Sequence, residues 1–118
     1  MILKGPKNIK GEKASNSHGG IGGYFVRTLL TSEFDSSLKY VREFVLDPGA
    51  SIGNHLHDGD EEIYYVIAGE GIMFVNDEEE VITTGDIVLT KSGSYHGLKN
   101  TGPDILKIFV ACANISTK

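Results

Sequence analysis

Turn-forming residues recur at short intervals along this chain, and the segments between them are rich in Val, Ile, Tyr, Phe and Thr. Such segments favour β-strands, whereas a helical apolar period is hard to find anywhere in the sequence. The pattern predicts the following strands: Tyr24–Leu30, Leu38–Leu46, Ser51–His57, Glu62–Ala68, Gly71–Val75, Glu79–Thr83, Asp86–Thr90, Tyr95–Asn100 and Ile105–Ala113. This many short strands predicts an all-β sandwich or barrel.

A length of 118 residues suits one domain with one hydrophobic core. Residues 1–22 are expected to form an N-terminal arm, because their lysines are spread among glycine and proline. The glycine-rich segment HGGIGGY, residues 18–24, is interpreted as a flexible entry into the first strand. The β domain is therefore expected to span residues 23–118.

The net charge of −5 argues against nucleic-acid binding, which depends on clustered Lys and Arg. No stretch of about eighteen apolar residues is present, and the N-terminus lacks the apolar segment of a secretory signal. We therefore expect a cytoplasmic protein that does not bind membranes. The single cysteine, Cys112, lies in the apolar segment IFVACA and is expected to be a buried hydrophobic residue.

Histidines and carboxylates are concentrated in residues 53–62, GNHLHDGDEE. His55 and His57 are two apart in a predicted strand, so their side chains lie on one face. The turn 58–60 is expected to return the chain antiparallel beside this strand, with a carboxylate level with the histidines. Glu61 and Glu62 face opposite ways, and the residues alone do not decide which one points inward.

The stretch GASIGNHLHDGDEEIYYVIAG resembles the first motif of the cupin superfamily. Its fixed positions are Gly49, then five residues, His55, one residue, His57, four residues, Glu62, six residues and Gly69. In cupins the glutamate at this spacing binds a metal. The resemblance therefore implies that Glu62 is a ligand and that Glu61 faces outward.

The stretch GDIVLTKSGSYHGLKN resembles the second cupin motif, with Gly85, His96 and Asn100 at its fixed positions. Lys91 stands where the family usually has proline, a change that a turn tolerates at some entropic cost. The resemblance implies that His96 is the fourth ligand. It also implies a double-stranded β-helix, or jelly-roll, cupin barrel.

Three imidazoles and one carboxylate suit a single divalent transition metal, which we expect to be Mn, Fe, Ni, Co or Zn. Four protein ligands on an octahedral ion leave two positions open for a ligand or substrate. The resemblance then implies a small metalloenzyme acting on a small oxygenated substrate, either as a dioxygenase or by isomerase or lyase proton transfer. The alternative is a non-catalytic cupin that binds a small molecule or sugar.

The motifs do not assign a role to several other residues with functional side chains. Tyr64 shares the predicted face of Glu62 and is the candidate catalytic residue, as a hydrogen-bond donor or an acid/base. Arg42 either faces inward to hold a carboxylate or phosphate, or lies on the surface paired with a glutamate, which we favour. His18 lies outside both motifs and is expected to be unrelated to the metal. By analogy with small cupins we expect a homodimer, with the N-terminal arm on the partner.

Overall fold

The structure is a computed structural model that describes residues 1–115 of the chain. Its elements are almost all strands: β1 (Gly11–Ser15), β2 (Gly23–Leu30), β3 (Leu38–Leu46), β4 (Ser51–His57), β5 (Asp60–Ala68), β6 (Glu70–Val75), β7 (Glu78–Thr83), β8 (Ile87–Thr90), β9 (Ser94–Asn100) and β10 (Leu106–Asn114). A 3-10 helix, Ser17–Gly19, lies between β1 and β2. The predicted all-β architecture is confirmed.

The strands form two antiparallel sheets. The six-stranded sheet has the order β1-β2-β3-β10-β5-β8, and the four-stranded sheet has the order β4-β9-β6-β7. Apolar side chains alternate along the strands and fill the space between the sheets, as in β10, where Leu106, Ile108 and Val110 are fully buried. Burying each such side chain stabilises the fold by roughly 1.5–3 kcal/mol. Cys112 continues this inward row and is buried, as predicted.

Two predicted strands, Leu38–Leu46 and Ser51–His57, match the structure residue for residue, and the others differ at their ends. Strand β1 was not predicted, and it lies within the segment assigned to the N-terminal arm. Its sequence, GEKAS, has no apolar alternation, so nothing in it indicates a strand. It forms through backbone pairing with β2, from Gly11 opposite Arg27 to Ser15 opposite Gly23.

The predicted antiparallel pairing of β4 with β5 is wrong. Strand β4 pairs with β9 in one sheet, whereas β5 pairs with β10 and β8 in the other. The connection at Asp58 and Gly59 therefore passes from one sheet to the other, since turn residues reverse the chain without fixing the next strand's partner. By contrast, the predicted strands Gly71–Val75 and Glu79–Thr83 correspond to β6 and β7, which pair antiparallel from Glu70 opposite Thr83 to Val75 opposite Glu78.

The 3-10 helix packs directly on β4, and two glycines permit this close approach. A Cβ atom at Gly53 would clash with the His18 carbonyl, and one at Gly20 would clash with the Ser51 carbonyl. The Ser51 amide donates to the Ile21 carbonyl at 2.7 Å and holds the segment against the strand. The glycine-rich entry is thus docked on β4, beside the predicted ligands. None of the helices in residues 1–115 is long and apolar enough to cross a membrane.

Candidate metal centre

The four residues predicted as metal ligands converge between the two sheets. Ligating atoms of His55, His57, Glu62 and His96 all lie within 4.8 Å of one another. Strand β4 supplies His55 and His57, and β9 places His96 directly opposite His55. Glu62 comes from β5 in the facing sheet. The site therefore bridges the two sheets.

Distances within this cluster are short. Glu62 Oε1 lies 3.2 Å from His57 Nε2 and 3.1 Å from His96 Nε2, and the Nε2 atoms of His55 and His96 are 3.1 Å apart. His96 is completely buried and Glu62 is 2% exposed. Three ring nitrogens and one carboxylate oxygen thus face a common point that is shielded from water.

Hydrogen bonds at the outer nitrogens set the tautomers of two of these histidines. His55 Nδ1 donates to the Gly53 carbonyl at 2.9 Å, and His57 Nδ1 donates to Asp60 Oδ1 at 2.8 Å. These oxygens only accept hydrogen bonds, so each Nδ1 carries the proton and each Nε2 keeps its lone pair. His57 Nε2 lies 3.2 Å from Glu62 and His55 Nε2 lies 3.1 Å from His96 Nε2, so both lone pairs are inside the cluster and available to a metal.

The environment of His57 Nε2 fits a cation at this site. The atom is buried, and no group among residues 1–115 makes a hydrogen bond to it, although Glu62 Oε1 is close by. A buried polar atom without a partner costs about 1–3 kcal/mol. A divalent ion between the imidazoles and the carboxylate would bind this nitrogen, and the borderline donor set suits a transition metal.

The pKa shifts favour the metal-binding protonation states of His55 and Glu62, but not that of His57. Burial lowers the pKa of His55 to about 4, so its ring is neutral at neutral pH. Burial alone would raise the pKa of Glu62, but the neighbouring His57 and His96 rings and the Tyr40 hydroxyl outweigh it and lower that pKa. For His57, the Glu62 carboxylate is the largest influence and raises the pKa. A proton therefore competes with a cation more strongly at His57 than at His55.

Two groups that support the ligands were missed in the sequence. Asp60, assigned to the turn, is the first residue of β5, is buried beside His57 and also accepts a hydrogen bond from Lys39 Nζ at 2.8 Å. Tyr40 donates its hydroxyl proton to Glu62 Oε2. Asp60 is two residues before Glu62 on β5, so strand alternation alone places both side chains on the same face. Tyr40 comes close to Glu62 only because β3 pairs with β10 and β10 pairs with β5.

Tyr64 lies where the sequence predicted, on the buried face of β5. Its ring centroid is 5.0 Å from that of His96, and its edge packs on Phe44. Burial, with the negative charge of Glu62, raises the pKa of its hydroxyl well above the ordinary value. Tyr64 is therefore protonated at neutral pH, and its catalytic role stays a prediction.

A cavity of about 300 Å³ opens beside the ligands and is lined by residues of both sheets. Arg42 lines it, so the favoured surface pairing is wrong, and the arginine that pairs with Glu43 is Arg27 at 3.1 Å. The register places Tyr40 and Arg42 on the inner face of β3, which sequence alternation could not distinguish from the outer face.

His18 also lines this cavity, although it was expected to be unrelated to the metal site. Its ring stacks on that of His55, with centroids 4.0 Å apart and an interplanar angle of 16°. His18 is outside the four-residue cluster, so it contacts a candidate ligand without being one. Its backbone has a φ of 53°, an uncommon conformation for a residue with a side chain.

Removing the Asp60 carboxylate tests its support of His57. Asp60→Ala is expected to weaken divalent-metal affinity by about 10- to 100-fold, because His57 loses the acceptor that fixes its tautomer. Competition with a chromophoric chelator measures the affinity. Asp58→Ala is the control, since Asp58 is exposed in the adjoining connection. Equal losses in the two variants would contradict this role for Asp60.

Comparisons with known proteins agree with this fold and site. The family model for the cupin domain matches residues 42–112, a range that contains all four candidate ligands. A Thermotoga maritima protein named oxalate-binding protein is 38% identical over 103 residues, which cover 86% of this chain and 84% of that protein.

Solved structures show the same architecture. A crystal structure described as a predicted oxalate decarboxylase from Thermotoga maritima has a TM-score of 0.90 and 33% identity, covering 98% of this chain and 100% of the other. A Klebsiella pneumoniae protein described as having a double-stranded beta-helix domain has a TM-score of 0.66 and 25% identity. The match covers 74% of this chain and 73% of the Klebsiella chain. The predicted double-stranded β-helix is confirmed, and the chain belongs to the cupin family.

Proposed function

We propose that this protein binds one divalent transition-metal ion through His55, His57, Glu62 and His96 and uses it to bind a small chelating ligand such as oxalate. The single observation that carries the metal is the buried His57 Nε2, which has no hydrogen-bond partner within residues 1–115. The ion would be Mn, Fe, Co, Ni or Zn, since these accept imidazole together with carboxylate. The relative named for oxalate binding supports the choice of ligand.

The metal, when bound, supplies positive charge and open coordination positions for ligand oxygens. The chain's own residues supply the rest of the site. Asp60 and the Gly53 carbonyl orient two imidazoles, and Tyr40 holds the second oxygen of Glu62. The cavity of about 300 Å³ suits a ligand of a few heavy atoms.

Binding without turnover is the function that we favour, because the relative that is 38% identical is named for binding oxalate. An acid or base that works at neutral pH needs a pKa near 7. Burial raises the pKa of Tyr40 and of Tyr64 far above that value, so both phenols are protonated at neutral pH and can donate hydrogen bonds. The other cavity acids, Asp60 and Glu62, have lowered pKa values and stay ionised.

Catalysis is the second candidate, and the structure described as a predicted oxalate decarboxylase favours it. In that reaction oxalate would take up one proton and give formate and carbon dioxide. The predicted dioxygenase and proton-transfer activities belong to this candidate as well. Tyr64 would then orient the substrate as a hydrogen-bond donor next to His96.

Calorimetric titration of metal-loaded and metal-stripped protein with oxalate tests the proposal. We expect one oxalate to bind per metal ion and no binding without metal, with neither formate nor carbon dioxide released. Equal binding to the stripped protein would contradict the metal's role. Release of formate and carbon dioxide in step with oxalate loss would establish the enzyme instead.

The predicted homodimer and cytoplasmic location stay predictions. Exposed apolar side chains on neighbouring strands β5 and β8, Tyr65, Ile67, Ile87 and Leu89, support a second copy as a partner of the six-stranded sheet. Strand β1 occupies part of the predicted arm and pairs with β2 of the same chain.

A further inference from the structure

Arg42 brings a positive charge into the cavity, and residues 1–115 offer it no anionic partner. Its Nε atom is buried without a hydrogen bond, and within residues 1–115 its guanidinium makes no ion pair. Arg42 as a whole is half-buried, and a buried N–H donor that has no acceptor costs about 1–3 kcal/mol. An inward-facing arginine in this state is therefore suited to receiving an anion from outside the chain.

The carboxylates of the cavity do not meet this need, because both have other partners. Asp60 accepts from Lys39 and from His57, each at 2.8 Å. Glu62 lies among the ring nitrogens and accepts from Tyr40. Lys39 is neutralised by Asp60, which leaves Arg42 as the uncompensated cation among the residues that line the cavity.

Tyr40 connects Arg42 to the metal-binding cluster. The guanidinium carbon lies 3.8 Å from the centroid of the Tyr40 ring, and the hydroxyl of the same ring donates to Glu62. A guanidinium stacked on an aromatic face keeps its N–H groups in its own plane, where they can pair with two carboxylate oxygens. Tyr40 thus contacts Arg42 through its ring face and the candidate ligand Glu62 through its hydroxyl.

The shape of a chelating dicarboxylate matches these two anchors. Oxalate chelates a metal through one oxygen of each carboxylate and leaves its other two oxygens facing away, both carrying negative charge. We propose that Arg42 binds these outer oxygens and selects small dianionic carboxylates over chelators that lack them. This inference rests on the proposed function, since the metal holds the other end of the ligand.

Two ligands and a matched pair of variants test the selection. Oxalate is compared with acetohydroxamate, which also chelates through two oxygens but has a methyl group and an N–H at its far end, neither of which carries negative charge. Arg42→Met removes the charge and keeps a long apolar side chain. Arg27→Met is the control, because Arg27 pairs with Glu43 and does not line the cavity. Each metal-loaded protein is titrated with both ligands, and its metal content and melting temperature are measured.

We expect Arg42→Met to bind oxalate about 10- to 100-fold more weakly than the wild type, as fits the loss of charge-assisted hydrogen bonds. Acetohydroxamate affinity and metal content should stay within about twofold, and Arg27→Met should match the wild type for both ligands. Arg42→Lys should recover part of the oxalate affinity, because it restores the charge without the bidentate geometry.

The results separate the role of Arg42 from the proposed function. Unchanged oxalate affinity in Arg42→Met, or equal losses for both ligands, would overturn the role of Arg42 and leave the metal proposal in place. Failure of the wild type to bind metal would overturn the proposed function and this inference together. If Arg42→Met does not fold, the test uses the ratio of oxalate affinity to acetohydroxamate affinity in Arg42→Lys. A ratio equal to that of the wild type would overturn the proposed selection by Arg42.

Discussion

His57→Ala is expected to abolish stoichiometric metal binding and to lower divalent-metal affinity by more than about 100-fold. Loss of an outer partner alone costs about 10- to 100-fold, and this change removes a ligand as well. It takes away the nitrogen that has no other partner and leaves Glu62 with one imidazole nitrogen within 3.1 Å. Elemental analysis of protein purified without added metal, wild type against variant, measures the effect.

His18→Ala is the matched control for this experiment. His18 is the one histidine outside the candidate ligand cluster, although its ring stacks on His55. We expect this variant to keep the metal content of the wild type. Equal metal content in wild type and His57→Ala, or equal loss in both variants, would contradict the assignment of His57 as a ligand.

Leu98→Ala is expected to destabilise the fold by about 2–5 kcal/mol, because it leaves a cavity in the core behind the metal site. Leu98 is 1% exposed on β9, two residues after His96. It lies opposite Ile52 of β4 and Met73 of β6, so its side chain fills space shared by three strands. Urea unfolding followed by circular dichroism gives the change in free energy of unfolding.

Val81→Ala is the control for the core substitution. Val81 is 70% exposed on β7, and its truncation should change stability by less than about 0.5 kcal/mol. Similar losses in the two variants would show that Leu98 does not pack in the core. A large loss in Leu98→Ala alone would support the packing of β4, β6 and β9 around the site.

The sequence predicts the residues that converge in the candidate metal centre, because their geometry is local or belongs to two fixed motifs. His55 and His57 share a strand face by alternation, and this holds whichever strand lies beside them. The choice of Glu62 over Glu61 came from the resemblance to cupins. In the structure Glu62 is buried, whereas Glu61 is half-buried and precedes it on the alternate position of β5.

Features that depend on strand pairing could not be predicted in the same way. The turn at residues 58–60 suggested a hairpin, yet β4 and β5 belong to different sheets. Arg42 faces inward because of the register of β3 with β10. Alternation along a single strand does not show which of its two faces is the inner one. Tyr40 approaches Glu62 for the same reason, across two strand pairings and about twenty residues of sequence.

The structure of the segment before β2 could not be predicted for a different reason. Strand β1 carries no apolar pattern and forms through backbone pairing, so composition favoured an arm. His18 reaches His55 because Gly53 and Gly20 remove the side chains that would keep the 3-10 helix away from β4. A glycine inside a predicted strand is a signal of close backbone approach, and Gly53 could have been interpreted in this way.

Anomalous diffraction from crystals of the purified protein, recorded at the absorption edges of Mn, Fe, Co, Ni and Zn, tests the metal site most directly. We expect one anomalous peak about 2.0–2.3 Å from the ligating atoms of His55, His57, Glu62 and His96. A second group, His57, Asp60 and Cys112, also lies close enough to hold an ion. A peak at that group instead, or no peak in crystals grown with added metal, would contradict the four-ligand centre.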